Sequence, residues 1–335
     1  MRLALDAMGG DHGPGPNVAG AVAAVNSAPD LEISLVGDPA VIEPLLAQAG
    51  SSNRISIVPA MQNIGMDEKP AEALRKKPDS TIAVGWKLAA TKQVDGFISA
   101  GNTGAVVAGG LFTRRFLKGV RRPGIATLMP TAAGRCVIMD VGANVFPKPS
   151  HLLQYGIMGS LYAQHLLNIP NPKIGLINVG EEEGKGHDLV QKTYDLFRAG
   201  PVKDSFAGNI EGRDIHAGKV DVVVCDGFVG NVILKLSQGV FQFVVSMIKN
   251  DIISKLNAEK MIAAEALKGL VGKYHYSAVG GAPLLGIDGV CIICHGSSDE
   301  RAIANALSVA AQNVRVKLNE KIVEALAAMP DVGEE

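Results

Sequence analysis

Aromatic residues are scarce in this 335-residue chain, at 4% of the total. That argues against the stacking platforms on which single-stranded nucleic acid lies. An excess of either charge is missing too. Lys and Arg total 32 and Asp and Glu 33, giving a net charge of -1 and no basic field to gather DNA or RNA. No run of roughly 18 apolar residues occurs, so no bilayer-crossing helix is expected. The first residues go straight into a short strand and a polar turn, and no apolar leader core is expected there. Cysteine is limited to Cys136, Cys225, Cys291 and Cys294. All four lie in, or at the end of, strand-like apolar runs. Cys291 and Cys294 would face opposite sides of a strand rather than grip one metal, and no second pair at ligand spacing accompanies them. The four are read as structural thiols of a reducing, cytoplasmic setting. No metal and no cofactor is expected.

Glycine, by contrast, is abundant, with 39 residues in a chain that is 47% hydrophobic. Many of these glycines end apolar runs. The ends read Asp6-Ala-Met-Gly-Gly-Asp-His12, Val36-Gly-Asp38, Ser99-Ala-Gly-Asn-Thr-Gly104, Asp140-Val-Gly-Ala-Asn144, Asn178-Val-Gly-Glu181, Cys225-Asp-Gly-Phe-Val-Gly-Asn231 and His295-Gly-Ser-Ser-Asp299. In a parallel sheet such ends gather on one edge, where α/β proteins bind ligands.

Strand-like and helix-like periods alternate between these ends. Leu3–Leu5, Leu31–Val36, Arg54–Val58, Gly96–Ser99, Lys173–Val179, Val220–Val224 and Val290–Cys294 read as strands. Ile125–Met129 and Cys136–Val141 read as a hairpin. Helices are expected from Pro14 to Ala28 and over Pro39–Ala49, Ser80–Gln93, Thr103–Leu117 (capped by Thr103), Pro149–Leu167, His187–Ala199 and Asp299–Ala328. The pattern predicts a single α/β unit over 1–335, a mostly parallel sheet in a three-layer αβα arrangement. A helical excursion is expected over 246–285. There Ile252, Ile253, Leu256, Ala263, Leu267 and Leu270 share a face suited to the main body, a second subunit or a membrane surface.

The polar ends carry the candidate chemistry. Gly9 and Gly10 let backbone approach a ligand, with Asp6, Asp11 and His12 as either proton-transfer groups or turn formers. Asn102, Thr103 and Gly104 open a helix, either as an anion site or as a cap. Asn144 and Gly180 close two further turns. Gly227, Gly230 and Asn231 repeat the theme, and Asn231 is placed to donate to an oxyanion. Lys185 stands between two glycines, either a solvated charge or a cation for an anionic substrate. His295 and Ser297 lack the nucleophile-elbow context of a hydrolase and read better as helix-opening residues.

Together these segments resemble the bacterial phosphate acyltransferase family of phospholipid synthesis. The matching stretches are Ala4–His12, Ser99–Ala105, Asp140–Asn144, Gln154-Tyr-Gly-Ile-Met-Gly-Ser160, Gly175-Leu-Ile-Asn-Val-Gly180, Asp226–Asn231 and His295–Asp299, in family order across nearly the whole chain. The resemblance implies a fold like isocitrate/isopropylmalate dehydrogenases and phosphotransacetylases. It implies a homodimer and transfer of a fatty acyl group from acyl carrier protein to orthophosphate. It also implies a cytoplasmic protein with membrane association in some members. Lys185 and Asn231 align with the family's chemistry. Gly9, Gly10, Asp11, Asn102, Thr103, Gly104, Asn144, Gly180, Gly227, Gly230, His295 and Ser297 are the expected substrate and phosphate contacts. Arg114, Arg115, Lys118, Arg121 and Arg122 are candidates for docking an acidic carrier. The rival readings are a phosphotransacetylase-like enzyme using acyl-CoA, an NAD-dependent dehydrogenase, for which the fingerprint is missing, and a non-catalytic carrier-binding scaffold.

Overall fold

Short apolar runs separated by proline- or Asx-started helices assemble into one mixed sheet. The computed structural model describes residues 1–50, 52–274 and 280–329. Strands β1 (Arg2–Asp6), β2 (Glu32–Gly37), β3 (Ile55–Pro59) and β4 (Gly96–Ser99) come first. They alternate with helices α1 (Pro14–Ser27), α2 (Pro39–Ala49), α3 (Pro70–Lys76), α4 (Thr81–Ala90) and α5 (Thr103–Thr113). The hairpin β5 (Gly124–Thr131) and β6 (Gly134–Met139) leads into α6 (Pro149–Leu166), β7 (Ile174–Ile177), α7 (Asp188–Ala199), β8 (Phe206–Ile210), α8 (Gly212–Ala217) and β9 (Val222–Val224). Helix α9 (Gly227–Met247) runs on through a π turn and a 3-10 turn to Lys255. Then come α10 (Lys260–Tyr274), β10 (Ala282–Leu285), β11 (Val290–Ile293), α11 (Glu300–Arg315) and α12 (Leu318–Ala327).

The 11 strands lie in the order β3-β2-β1-β4-β11-β10-β5-β6-β9-β7-β8. Most neighbours are parallel, as expected. The exceptions are central: β10 is antiparallel to β11 and to β5, and β5 is antiparallel to β6. Two of these pairings are short hairpins, which can only join antiparallel strands. Three reversals in succession leave β6, β9, β7 and β8 running opposite to β1, β2, β4 and β11. The expectation of one ligand edge is therefore corrected. The ends of β1, β2, β4 and β11 lie on one edge of the sheet, and those of β6, β7 and β9 on the other.

Helices cover both faces. One cluster packs Leu5, Val25, Ile33 and Ile98 of the first half with Ile303 and Leu307 of α11. Another joins Trp86, Phe97, Val106, Ile138 and Val223. The third packs α6, α7 and α12 on the far half, around Tyr155, Phe197 and Ile322. Cys291 belongs to the second cluster and Cys294 to the first, on opposite faces as the strand period requires. All four cysteines are free and buried. Burial pushes the Cys136 and Cys294 thiols up to about 12.

Several boundaries differ from the sequence reading. Helix α5 stops at Thr113 because Arg114 turns left-handed (φ 52°). The terminal helix breaks at Lys317 (φ 53°) into α11 and α12. The short elements α3, β8, α8 and β10 are additions. The excursion begins earlier, at Gly227, and residues 275–279 of it lie outside the described residues. Of its expected apolar face, Ile253 is buried, whereas Ile252 is 56% and Leu270 46% exposed. The larger apolar face belongs to α9: Leu236 and Phe243 are 64% and 63% exposed, with Val240 and Met247 beside them. Contrary to expectation, Gly227–Lys255 (29 residues, mean hydropathy 1.4) is long and apolar enough to cross a membrane by length and composition. Polar residues such as Lys235, Gln238 and Gln242 interrupt the run and hid it from a plain apolar count.

Candidate functional site

A cleft of about 1050 Å³ follows one face of the central strands from edge to edge. At one end it is lined by Asp11, Thr103, His295 and Gly296, and at the other by Val141 and Asn231. Ile125 and Thr131 of β5 both line it, and the six residue steps from one to the other make the groove about 20 Å long. Its middle is apolar, walled by Leu128 and Met129 of β5, Ile215 of α8, and Ile233, Leu234 and Phe241 of α9.

The first end is built by β1 and β4. Asp6, fully buried, accepts the N–H groups of Met8 (3.2 Å) and Gly9 (3.0 Å) and the Ser99 hydroxyl (2.7 Å). Burial holds its carboxyl above the usual range, against the pull of those donors. Asp6 is thus the anchor of the turn rather than a solvent-facing acid. Gly9 has no room for a side chain: a Cβ there would lie 2.6 Å from the Asp6 carboxylate and 2.7 Å from the Gly101 nitrogen. Gly10 takes the left-handed region (φ 98°). Buried Asn17, which the sequence reading missed, donates to the carbonyls of Ala7 (3.1 Å) and Gly9 (2.8 Å). Its place in a plain helical pattern gave no signal. The turn docks on the end of β11, where the Asp11 N–H donates to the Gly296 carbonyl at 2.7 Å. Asp11 is exposed there.

Asn102 is a cap and a tether. Its Oδ1 accepts the Ala105 N–H at 3.0 Å, and its Nδ2 donates to the carbonyls of Gly65, Met66 and Glu68 at 3.1–3.2 Å. It therefore replaces Thr103 as the cap of α5, and its amide is consumed by protein contacts. Thr103 is exposed in the cleft, and a Cβ on Gly104 would meet Pro70 at 2.6 Å. His295 Nδ1 and the Ser297 hydroxyl are 2.8 Å apart, while Asp299 caps α11 through the Ala302 N–H at 2.8 Å.

The second end is built by β6 and β9. Asp140, also buried, accepts from the backbone of Ile125 (3.0 Å), Gly142 (3.1 Å), Ala143 (3.0 Å) and Asn144 (2.7 Å). Burial again raises its pKa, opposed by these N–H groups. The Asn144 amide is spent on the Pro123 carbonyl (2.6 Å) and the Tyr155 hydroxyl (2.7 Å). Helix α9 starts hard against this turn. The Gly227 N–H donates to the Asn144 carbonyl at 2.8 Å. A Cβ on Gly230 would fall 1.9 Å from the Asp140 carbonyl oxygen. Asp226 caps the helix through the N–H groups of Phe228 and Val229. Asn231, half-buried above Gly142, lines the cleft.

Lys185 lies on the loop after β7, the strand next to β9, and outside the cleft lining. The backbone of this loop is braced. Asn178 holds the Lys185 carbonyl at 3.0 Å, and Gln191 holds those of Gly184 (2.9 Å) and Gly186 (3.0 Å). Glu181 and Glu183 are paired with Lys219 and Arg198. The Lys185 ammonium, however, is exposed and makes no ion pair among the described residues. A Cβ on Gly180 would press on the Glu182 carboxylate (2.7 Å). The expected contacts thus form two groups. One holds Gly9, Gly10, Asp11, Asn102, Thr103, Gly104, His295 and Ser297. The other holds Asn144, Gly180, Lys185, Gly227, Gly230 and Asn231. Among the described residues no set of three or more His, Cys, Asp or Glu is arranged to hold a metal.

Comparison with known proteins adds the chemistry of relatives. Residues 1–321 match a family model described as fatty acid synthesis protein. A phosphate acyltransferase of Heliobacterium modesticaldum is 49% identical over 319 residues, 94% of each chain. One from Acidobacterium capsulatum is 44% identical over 333 residues, 98% of each. A phosphotransacetylase structure from Streptococcus pyogenes superposes with a TM-score of 0.62 at 18% identity, covering 94% of each chain. The EutD phosphotransacetylase from Staphylococcus aureus gives 0.60 at 14% identity, covering 93% of this chain and 94% of its own. These two structures speak to the fold alone.

Proposed function

Because the chain belongs to the phosphate acyltransferase family, we propose that it moves a fatty acyl group from acyl-[acyl carrier protein] to orthophosphate. The product is an acyl phosphate that feeds phosphatidic acid synthesis. The observation that carries this reading is the cleft itself, an apolar groove about 20 Å long with polar turns at both ends. Such a shape suits a long apolar chain bearing a polar reactive end.

Phosphate is already a nucleophile, so no serine or cysteine need be acylated. An orthophosphate oxygen attacks the thioester carbonyl, and the C–O bond forms as the carbonyl becomes an oxyanion. Collapse breaks the C–S bond, and the thiolate takes up a proton to leave as free carrier thiol. Asn231 donates its amide N–H to the oxyanion. Lys185, on the adjoining strand end, balances charge on phosphate or oxyanion. Backbone at Gly9, Gly10, Gly227 and Gly230 shapes the walls against which the reactants are held, and proximity supplies much of the rate. The exposed apolar face of α9 is covered by a second copy of the chain in a cytoplasmic homodimer, with peripheral membrane contact as the competing use.

The test is incubation of pure protein with palmitoyl-[acyl carrier protein] and phosphate. Phosphate-dependent release of carrier thiol is expected. Its absence refutes the reading, and release from palmitoyl-CoA alone replaces it with the phosphotransacetylase-like alternative.

A further inference from the structure

The loop that carries Lys185 is mounted on three side-chain amides. Asn178 donates to the carbonyl of Lys185 itself at 3.0 Å. Gln191, on α7, donates to the carbonyls on either side, Gly184 at 2.9 Å and Gly186 at 3.0 Å. Asn209, on β8, donates to the Glu182 carbonyl at 2.9 Å, the same oxygen that takes the Lys185 N–H at 3.2 Å. Asn209 is buried, and its Oδ1 finds no partner among the described residues. An orphaned buried oxygen costs stability, so Asn209 is poorly explained as core packing. Gly186 turns left-handed (φ 86°), and a Cβ there would press on the Asn178 amide. The Lys185 stem lies over Gly180: a Cβ on that glycine would meet Lys185 Cγ at 3.4 Å and Cδ at 3.7 Å, with Glu182 Oε2 at 2.7 Å. Glu181 and Glu183 are drawn off by Lys219 (2.7 Å) and Arg198 (2.6 Å), and the Lys185 ammonium makes no ion pair among the described residues.

We propose that Gln191 and Asn209 are positioning residues for the acyl transfer, acting through Lys185 by fixing the backbone from which its ammonium reaches the reacting groups. The inference rests on the reading of Lys185 as the cation of that reaction. A merely solvated charge needs no such mount. Ordering a loop that holds Gly184 and Gly186 costs conformational entropy, and an exposed lysine could move there freely without harm to the fold. The mount also stands in the right place. Strands β7 and β9 are parallel neighbours, with Leu176 opposite Val224 near their ends. The loop of Lys185 and the helix of Asn231 therefore start from adjacent strand ends, about 5 Å apart. A lysine stem is flexible, and a cation held in place beforehand needs no reorganisation as the oxyanion forms. Gln191 and Asn209 supply that restraint without touching substrate.

The experiment is a double-mutant cycle read by phosphate-dependent release of thiol from palmitoyl-[acyl carrier protein]. Gln191→Met keeps the length of the side chain and removes both N–H donors. It is expected to lower kcat at least about tenfold, with KM for the carrier-protein donor within about twofold of wild type. In the Lys185→Ala background the same change should lower kcat by less than about twofold, because the group it positions is gone. Asn209→Leu is expected to follow the same pattern. Urea unfolding identifies folded variants, and Gln191, which is exposed, serves alone should Asn209→Leu not fold. Hydrogen exchange gives a readout apart from rate: the Lys185 amide should exchange at least about tenfold faster in Gln191→Met. If Lys185→Ala is too slow to follow, a kcat loss with faster exchange supports the proposal, and a kcat loss without it overturns it. Equal losses in both backgrounds mark a merely structural role and overturn it. So does a wild-type kcat in Gln191→Met while Lys185→Ala is slow, and that result leaves Lys185 in the mechanism. A wild-type rate in Lys185→Ala, or no thiol release from the wild-type protein, sinks the reading of the site and this inference with it.

Discussion

Gly230→Ala tests how the start of α9 places Asn231. An added Cβ would sit 1.9 Å from the Asp140 carbonyl oxygen, whereas real Cβ contacts essentially never fall under 3.0 Å. The helix must therefore retreat by at least about 1 Å. Nothing soft absorbs the movement. The Asp140 N–H is bonded to the Cys225 carbonyl at 3.0 Å, and Gly227 to Asn144 at 2.8 Å. Overpacking of this kind costs about 1–3 kcal/mol, offset by up to about 1 kcal/mol from the better helix propensity of alanine. A net loss of about 1–2 kcal/mol is expected in urea unfolding. The activity loss should be larger in proportion, because a shift of about 1 Å at a positioned group costs about 100-fold. Gly239→Ala, on the same helix with nothing within 4 Å of the added carbon, supplies the control. It should gain about 0.5–1 kcal/mol and keep its turnover. If Gly230→Ala also unfolds and turns over like wild type, the docking of α9 on the Asp140 turn does not position the reaction.

Three further outcomes are expected. Lys185→Ala should lose most turnover while its unfolding free energy stays within about 0.5 kcal/mol, since its ammonium makes no ion pair among the described residues; a wild-type rate removes it from the mechanism. Asn102→Ala should cost about 1–2 kcal/mol by uncapping α5, whereas Asn231→Ala should spare stability and slow the reaction; the reverse pattern in paired unfolding and rate measurements refutes the assignment. His151 has a folded pKa near 4 against an ordinary 6.5, so the folded state binds fewer protons between those values. Its contribution to stability is present above 6.5 and lost as pH falls toward 4. His151→Gln keeps an acceptor for the Lys148 N–H and should flatten that part of the stability–pH curve relative to wild type; parallel curves count against a half-buried imidazole held neutral.

The strand ends were legible because glycine and Asx residues must appear where a strand turns into a helix at close quarters. The relative sense of the strands was not. A strand's own period says which faces are buried, but the reversal through β10, β5 and β6 is a matter of partners. Asn102, Asn144 and Asn231 occur in similar glycine contexts, and sequence alone cannot tell an amide consumed by carbonyls from one facing a cleft. The start of α9 was hidden for a related reason. Gly227 and Gly230 read as a turn because glycine is poor in helices, yet both are required there by the approach of the Asp140 turn.

The reversal of strand sense also acts as a gauge. A sheet with all its strand ends on one edge would gather its polar turns into a single spot, and any small anion could occupy it alone. Here the two sets of turns are held a strand's length apart. A molecule that engages both must be about as long as β5, so the fold selects on length before any side chain selects on chemistry. Shortening the apolar wall from within, at Met129 or Ile215, would then move the preferred substrate length without touching either polar end.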